Sequence, residues 1–158
     1  MAASKPLAVR VLERRKIPHQ LFEFDSSIRS AEEVARSTGM PPAQVFKTLV
    51  IEQDPPRGKP YLVMMPSTAE VDLKVLAAAV GVKRLKMASH AEAERQTGLQ
   101  VGGISALALL NRGFGALIDE SALAFASILI SAGQRGMDVS LGVADLLELT
   151  GAKPVRSH

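Results

Sequence analysis

The apolar and polar positions of the chain follow two spacings, which together predict a mixture of helices and strands. Short runs rich in β-branched and aromatic residues are typical of buried strands, whereas apolar residues three or four positions apart are typical of amphipathic helices. The strands predicted in this way cover residues 19–24, 45–51, 61–65, 83–87, 115–119, 127–131 and 137–141. The predicted helices start at Ser4, Ser30, Asp72 and Ser89, and a last helix covers residues 143–149.

Local signals at the ends of these segments support the assignment. Residues 30–33 (Ser-Ala-Glu-Glu) form a capping box, and the helix that it starts is predicted to end at Gly39. Residues 54–58 (Asp-Pro-Pro-Arg-Gly) have the composition of a turn and join two predicted strands, which indicates an antiparallel hairpin. Residues 132–136 are predicted to form a tight turn between the last two strands.

The number and connection of the strands predict the fold class. Several strands are joined by turns of hairpin length, and there are more strands than a doubly wound sheet requires. This favours the α+β class, with a mixed sheet that curls towards a barrel and has helices outside it. A length of 158 residues suits one domain, so we expect residues 1–158 to form a single unit.

Composition narrows the classes of function. Hydrophobic residues make up 47% of the chain, enough for a packed core, and the absence of cysteine excludes disulfides, a thiolate nucleophile and cysteine-ligated zinc. Only 4% of the residues are aromatic, so base stacking is not expected. The net charge of +3 permits an anionic partner such as RNA. Neither a signal peptide nor a run of the ~20 apolar residues of a membrane helix occurs, which predicts a cytoplasmic protein without membrane contact.

Lys47 is the residue that fits its surroundings least. It is the third residue of a strand-like run at 45–51 whose other members are apolar except for Thr48. A lysine at such a position either extends its ammonium group to the surface or points into a pocket that holds a negative group. A lysine on an edge strand that prevents pairing with other chains is the alternative explanation.

Other kinds of reactive site are poorly supported. His19, His90 and His158 are not spaced as metal ligands, so neither a metal nor a cofactor is expected. Ser105 and Ser131 are conceivable nucleophiles, but neither lies in a G-x-S-x-G elbow. Phosphate-binding and dinucleotide-binding fingerprints are absent from the sequence.

Three features remain as candidates for chemistry. Lys47 supplies a cation, Gly102 and Gly103 allow a backbone to approach a ligand closely, and the 132–136 turn brings Arg135 near Asp138. Backbone N–H groups and a nearby ammonium group can stabilise a carbonyl oxygen that gains negative charge. The double glycine is also compatible with an ordinary turn. Asp138 is equally compatible with a surface position or with an ion pair to Arg135.

Three segments of the chain resemble signature motifs of the YbaK/EbsC family, the prolyl-tRNA-synthetase-associated domains that edit mischarged tRNA. The segments are residues 45–50 (VFKTLV), 101–105 (VGGIS) and 131–138 (SAGQRGMD), and the resemblance extends in order from about residue 11 to residue 151. The resemblance implies a barrel-like mixed sheet wrapped by helices. It also implies hydrolytic removal of the wrong amino acid, cysteine in the branch most similar to this chain, from tRNA(Pro).

The resemblance also implies roles for particular residues. Lys47 takes the position of the family's essential lysine, and Gly102 and Gly103 form the loop that faces the substrate. The partners that the resemblance implies are the 3′ end of an aminoacyl-tRNA and prolyl-tRNA synthetase. The expected substrate-binding residues are Phe24, Thr48, Ile104, Ser105, Ser131, Gly133, Arg135 and Asp138. Two positions depart from the family pattern: Ala106 replaces a proline, and Phe24 stands where a tyrosine is common.

Three alternative functions stay open at this point. The protein could remove another small residue, alanine or serine, from tRNA, or it could bind tRNA or a synthetase without catalysis. It could also act on a free small molecule, since a fold does not determine a function.

Overall fold

The computed structural model describes residues 5–28 and 30–158, with Ala31 described by its backbone. Ser4, the predicted first helix cap, lies outside these residues. The helices of the described part are α1 (Leu7–Arg14), α2 (Ala31–Thr38), α3 (Leu73–Val80), α4 (His90–Thr97) and α5 (Val143–Thr150). The strands are β1 (His19–Glu23), β2 (Phe46–Gln53), β3 (Tyr61–Pro66), β4 (Leu85–Met87), β5 (Gly115–Asp119), β6 (Ser127–Gln134), β7 (Met137–Gly142) and β8 (Lys153–Val155). Short 3₁₀ helices cover Pro42–Gln44, Leu107–Leu109 and Glu120–Ala124.

The strands form two sheets that meet at one point. The larger sheet has the order β4-β2-β3-β5-β8, in which β5 runs parallel to both of its neighbours and the other pairs are antiparallel. The smaller sheet, β1-β7-β6, is antiparallel throughout. An isolated parallel bridge between Val45 and Leu129 connects the two. The α+β class and the mixed sheet are therefore confirmed, but the described strands form two joined sheets and not one closed barrel.

The helix boundaries follow the predicted capping signals. The Ser30 hydroxyl accepts a hydrogen bond from the Glu33 N–H at 3.1 Å, and the Asp72 carboxylate accepts one from the Lys74 N–H at 3.0 Å. These bonds satisfy N–H groups that have no partner within the first helical turn. Helix α2 ends at Gly39, whose φ of 75° is the left-handed conformation that glycine adopts without a steric penalty.

The last third of the chain differs from the prediction in two respects. Strand β6 continues to Gln134 through a β-bulge between Ser131 and Gln134, so the tight turn is shorter than the predicted 132–136. Strand β8 was not predicted, because three residues that include Pro154 carry no alternating pattern. It pairs with β5 because β5 would otherwise be the edge of the sheet.

The larger sheet is covered on both faces. Met64 packs into a core formed by residues of both sheets, α1 and α5. Its neighbour Val63 packs on the opposite face of the larger sheet, with Leu76 of α3. A third apolar cluster joins Val34 of α2 to the Val45–Leu129 bridge. No helix in residues 5–28 or 30–158 combines the length and the apolar character needed to cross a membrane.

Candidate active site

A cavity of about 240 Å³ opens where the start of β2, the 101–104 loop and the β6–β7 turn meet. This volume lies below the roughly 300–1,000 Å³ of sites for drug-sized ligands, so the cavity suits a small chemical group. The apolar part of its wall comes from Phe24, Ile28, Val34, Val45, Phe46, Leu49, Val101 and Ile104. The polar part and the glycines are Ser26, Lys47, Thr48, Ser67, Gly102, Ser131, Arg135, Gly136 and Asp138.

The three predicted motifs therefore border one cavity, although they are far apart in sequence. The predicted site residues that line it are Phe24, Lys47, Thr48, Gly102, Ile104, Ser131, Arg135 and Asp138. Gly103, Ser105 and Gly133 do not line it.

Lys47 lies on an interior strand of the larger sheet. Strand β3 pairs with β2 at Lys47, whereas β4 pairs with β2 only from Ile51 to Gln53, so the edge-strand explanation for this lysine stays open. The side chain is half-buried, and its Nζ donates a hydrogen bond to the Ala69 carbonyl oxygen at 2.7 Å. This bond ties the ammonium group to the segment between β3 and α3, beside the cavity.

The two glycines of the loop have different environments. Gly102 is exposed, lines the cavity and has a φ of 93°. Gly103 is buried, and its N–H donates to the Gln100 carbonyl oxygen at 2.8 Å. A Cβ atom on Gly103 would lie 2.9 Å from the Arg135 backbone nitrogen. The expectation that both glycines offer N–H groups to a ligand is therefore wrong for Gly103, whose role is close packing against the β6–β7 turn.

Arg135 and Glu94 hold the backbone of the residue before these glycines. The Arg135 Nε donates to the Val101 carbonyl oxygen at 2.8 Å, and a Glu94 carboxylate oxygen accepts from the Val101 N–H at 2.9 Å. Sequence reasoning did not single out Glu94. It lies on α4, seven positions before Val101, and no pattern in the sequence links the two residues.

Asp138 is a half-buried carboxyl group in the cavity wall. It lies opposite Ser131 in the β6–β7 register and opposite Phe22 in the β1–β7 register. Burial raises the pKa of Asp138 from 3.8 to about 6. The ion pairs found among the described residues do not include it, so the alternative of a pair with Arg135 is wrong.

The remaining predicted residues support the site from outside the cavity. Ser105 is 1% exposed, and its hydroxyl oxygen has no hydrogen-bond partner in the described part of the chain. Gly133 leaves room for Ala108, since a Cβ atom on Gly133 would lie 3.2 Å from the Ala108 Cβ. The Gly133 N–H donates to the Ser131 hydroxyl at 3.1 Å. Neither Ser105 nor Gly133 lines the cavity, and their expected contacts with a substrate stay predictions.

Several lining residues were missed by sequence reasoning. The missed residues that belong to the quoted motifs, and could have been included on that ground, are Val45, Phe46, Leu49, Val101 and Gly136. The missed residues outside the motifs are Ser26, Ile28, Val34 and Ser67. The lining residues include no histidine, and the described residues hold no group of three or more His, Asp or Glu side chains that could bind a metal ion.

Comparison with known proteins identifies the family. The family model described as "Aminoacyl-tRNA editing domain" matches residues 25–149. The chain belongs to this family of aminoacyl-tRNA editing domains. The resemblance to the YbaK/EbsC family, inferred from three motifs, is thereby confirmed.

Two relatives of this editing domain match nearly the whole chain. One is "Putative Cys-tRNA(Pro)/Cys-tRNA(Cys) deacylase EbsC" of Enterococcus faecalis (strain ATCC 700802 / V583), 34% identical over 151 residues, which are 94% of this chain and 90% of the relative. The other is the crystal structure of "a putative trans-editing enzyme for prolyl tRNA synthetase", 27% identical, with a TM-score of 0.81 and 98% of each chain covered. The structure of the hypothetical protein APE2540, 20% identical with a TM-score of 0.81, covers 94% of this chain and 98% of its own and shows the shared fold alone.

Proposed function

We propose that the protein is a trans-editing aminoacyl-tRNA deacylase that hydrolyses the ester of mischarged tRNA(Pro), with Cys-tRNA(Pro) as the principal substrate. The observation that carries the proposal is that Lys47, Gly102 and Asp138 line the same small cavity in a member of an editing family. The relative from Enterococcus faecalis, whose name gives Cys-tRNA(Pro) as substrate, supports the choice of amino acid.

The charges of the cavity suit an aminoacyl ester. An aminoacyl group carries a free α-amino group, which is a cation when protonated, next to the ester carbonyl. The Asp138 carboxylate, which makes no ion pair with the described residues, would bind this ammonium group. The Lys47 ammonium group would contact the ester, the terminal ribose or the adjoining phosphate, all of which carry negative or partly negative oxygens.

The chemistry requires no nucleophile from the protein. The serines in the wall are Ser26, Ser67 and Ser131, and the described lining residues include no histidine to activate them. The attacking group would instead be the vicinal ribose hydroxyl, a water molecule or the thiol of a bound cysteine, which gains its advantage from being held close to the carbonyl carbon. The attacker forms a bond to that carbon, the ester C–O bond breaks, and the ribose oxygen leaves as a hydroxyl after taking up a proton. Capture by water, directly or after an intramolecular attack, frees the amino acid.

The developing negative charge on the carbonyl oxygen needs donors. The Gly102 N–H is the candidate donor from the loop, since the Gly103 N–H is occupied by Gln100. Lys47, which also lines the cavity, adds positive charge. Donors fixed in advance stabilise the transition state more than water does, because they need no reorganisation as the charge appears.

The size of the cavity favours a small side chain, and its wall next to Phe24 and Ile104 is apolar. Discrimination between cysteine and alanine or serine depends on one heavy atom, a difference worth only ~1–3 kcal/mol in an apolar pocket. The amino-acid preference is therefore the part of the proposal that most needs a direct measurement.

A panel of Cys-, Ala-, Ser- and Pro-tRNA(Pro), incubated with the protein under single-turnover conditions, tests the proposal. We expect Cys-tRNA(Pro) to be cleaved fastest and Pro-tRNA(Pro) to be spared. Fastest cleavage of the alanyl or seryl ester would change the substrate. Salt-sensitive binding of tRNA without cleavage of any ester would identify a binding module instead.

Lys47→Ala tests the contribution of the ammonium group. We expect the single-turnover rate on the best substrate to fall by roughly 10²–10³, the loss typical of a removed transition-state donor. Lys86→Ala is the matched control, because Lys86 is also a strand lysine but lies outside the cavity and close to Glu52 and Asp54. An unchanged rate in Lys47→Ala would remove this residue from the chemistry.

Prolyl-tRNA synthetase is the proposed partner that supplies the mischarged tRNA. The relative of known structure described as a trans-editing enzyme for this synthetase supports the proposal. Co-purification with the purified synthetase, in the presence and absence of tRNA(Pro), measures the association. Failure to recover the synthetase in both conditions would contradict it.

A further inference from the structure

The peptide groups around Val101 are held on both sides by charged side chains from separate elements. Glu94 of α4 accepts the Val101 N–H at 2.9 Å, and Arg135 of the β6–β7 turn donates its Nε–H to the Val101 carbonyl oxygen at 2.8 Å. Hydrogen bonds in which one partner is charged are shorter and roughly twice as strong as neutral ones. One residue of a loop is thus fixed by two such bonds.

The bond from Arg135 acts directly on Gly102. The Val101 carbonyl and the Gly102 N–H belong to the same planar peptide group, in which the two bonds point in opposite directions when the peptide is trans. Because Arg135 holds the Val101 carbonyl oxygen in place, it also fixes the direction of the Gly102 N–H. Donation to the carbonyl also polarises the peptide, which makes its N–H a stronger donor.

Gly103, the next residue of the loop, packs against the β6–β7 turn. Gly103 packs so closely on the turn that a Cβ atom would lie 2.9 Å from the Arg135 nitrogen and 3.0 Å from the Gln134 carbonyl carbon. The backbone of the loop therefore lies in close contact with the backbone of the turn. The Arg135 side chain and the Arg135 main chain both contact the same three-residue segment.

We propose that Glu94 and Arg135 are positioning residues for the deacylation reaction, which together clamp the Val101 backbone and aim the Gly102 N–H at the oxygen that gains negative charge. This rests on the proposed function. Glu94 contributes from outside the cavity, since it is not among the lining residues. Arg135, expected from sequence to bind substrate, lines the cavity and also acts through the loop, because its Nε–H donates to the Val101 carbonyl oxygen.

A purely structural role for the two side chains makes different predictions. If they only attached α4 and the turn to the domain, their loss would lower stability and leave the kinetics of the folded fraction intact. If Arg135 only attracted tRNA by its charge, its loss would raise KM, and lysine would replace it.

The kinetic test uses the mischarged tRNA that the wild-type protein cleaves fastest. We expect Glu94→Ala and Arg135→Ala each to lower kcat by roughly 10- to 100-fold with little change in KM, as loss of orientation alone can cost about 10² in rate. Glu94→Gln keeps a side-chain carbonyl oxygen as acceptor and should retain most of the activity. Arg135→Lys keeps the charge but lacks the Nε–H, and should be as slow as Arg135→Ala.

Two further variants sharpen the kinetic test. The double variant Glu94→Ala/Arg135→Ala should be no slower than the slower single variant, because the two bonds hold the two peptide groups of one residue, Val101, and lose their effect together. Glu92→Ala is the matched control. Glu92 is an acidic residue on the same helix as Glu94, but it forms an ion pair with Arg95 and does not contact the loop. Its kcat should equal that of the wild-type protein.

An independent test follows the Gly102 amide resonance by NMR in ¹⁵N-labelled protein. We expect its chemical shift to move in Glu94→Ala and Arg135→Ala and to stay in place in Glu92→Ala. Loss of activity in proportion to thermal stability, a rise in KM alone, or an unmoved Gly102 resonance would overturn the proposed clamp. If the wild-type protein cleaves no aminoacyl-tRNA, the proposed function fails, and the resonance still decides whether the clamp exists.

Discussion

Asp138 is the residue whose protonation the fold changes most clearly. Its carboxyl group is half-buried in the cavity wall, and burial raises its pKa from 3.8 to about 6. A group with a raised pKa binds its proton more tightly in the folded state than in the unfolded state. Its contribution to stability is therefore complete below pH 3.8 and is lost as the pH rises through about 6.

Asp138→Asn removes this titration. We expect the free energy of unfolding of Asp138→Asn at neutral pH to exceed that of the wild-type protein by at most roughly 3 kcal/mol, the equivalent of the rise in the Asp138 pKa from 3.8 to about 6. The variant should also lose the pH dependence of stability between these two values. Urea unfolding of both proteins at pH 4 and pH 7 measures the effect. A wild-type protein whose stability does not fall across this range, relative to the variant, would contradict the raised pKa.

Ionisation of Asp138 should also make substrate binding depend on pH. Only ionised Asp138 attracts the α-ammonium group of an aminoacyl ester, so KM should fall as the pH rises through about 6. Asp138→Asn should have a raised KM without this dependence, whereas Asp145→Asn on α5, outside the cavity, should behave like the wild-type protein. An identical KM profile in Asp138→Asn would exclude this role.

At the scale of elements, the site depends on how closely the 101–104 loop approaches the β6–β7 turn. Gly103 permits this approach because a Cβ atom would meet the backbone of Gln134 and Arg135, which cannot rotate away as a side chain would. Gln134, the residue at the end of the β-bulge in β6, is one of the two residues that the loop approaches.

Gly103→Ala is expected to separate the loop from the turn. The shift moves the Gly102 N–H and should lower kcat by about 10², as small displacements of reacting groups do. Gly142→Ala is the matched control, because a Cβ there would meet the Asp145 side chain, whose carboxylate can move. Single-turnover deacylation compares the two variants, and equal rates would show that the close approach has no role in activity.

At the scale of the whole molecule, the last residues of the chain fasten the larger sheet to α3. Strand β8 pairs with β5, and the buried Asp119 carboxylate accepts hydrogen bonds from the Ser157 hydroxyl and from the Ser157 N–H at 3.2 Å. The Ser157 carbonyl oxygen accepts the Asp72 N–H at the start of α3 at 2.8 Å. The segment between β3 and α3, which holds Lys47 through the Ala69 carbonyl, is thereby anchored at its far end.

Asp119→Ala should lower the free energy of unfolding by roughly 2–3 kcal/mol, because two buried donors of Ser157 lose a charged acceptor. Asp119→Asn keeps an acceptor oxygen in the same place and should cost less. Chemical denaturation of the three proteins measures the order. Equal stability of Asp119→Ala and the wild-type protein would mean that the network does not stabilise the fold.

Much of this architecture follows from local interactions, and the sequence by itself determines it. The cap at Ser30, the helix end at Gly39 and the 54–58 hairpin each involve residues within a few positions of one another, so their signals are contiguous. The three motifs were also sufficient to predict the editing family, because motif order along a chain needs no coordinates.

The site itself was decided by contacts between distant residues. Arg135 meets Val101 across 34 positions and Ser157 meets Asp119 across 38, and no periodicity encodes such pairs. The tertiary structure alone shows that the Gly103 N–H is already bonded, that burial raises the pKa of Asp138, and that Glu94 contacts the loop. Burial and hydrogen-bond partners are properties of the packed chain, and they determine which of the predicted residues are available to a substrate.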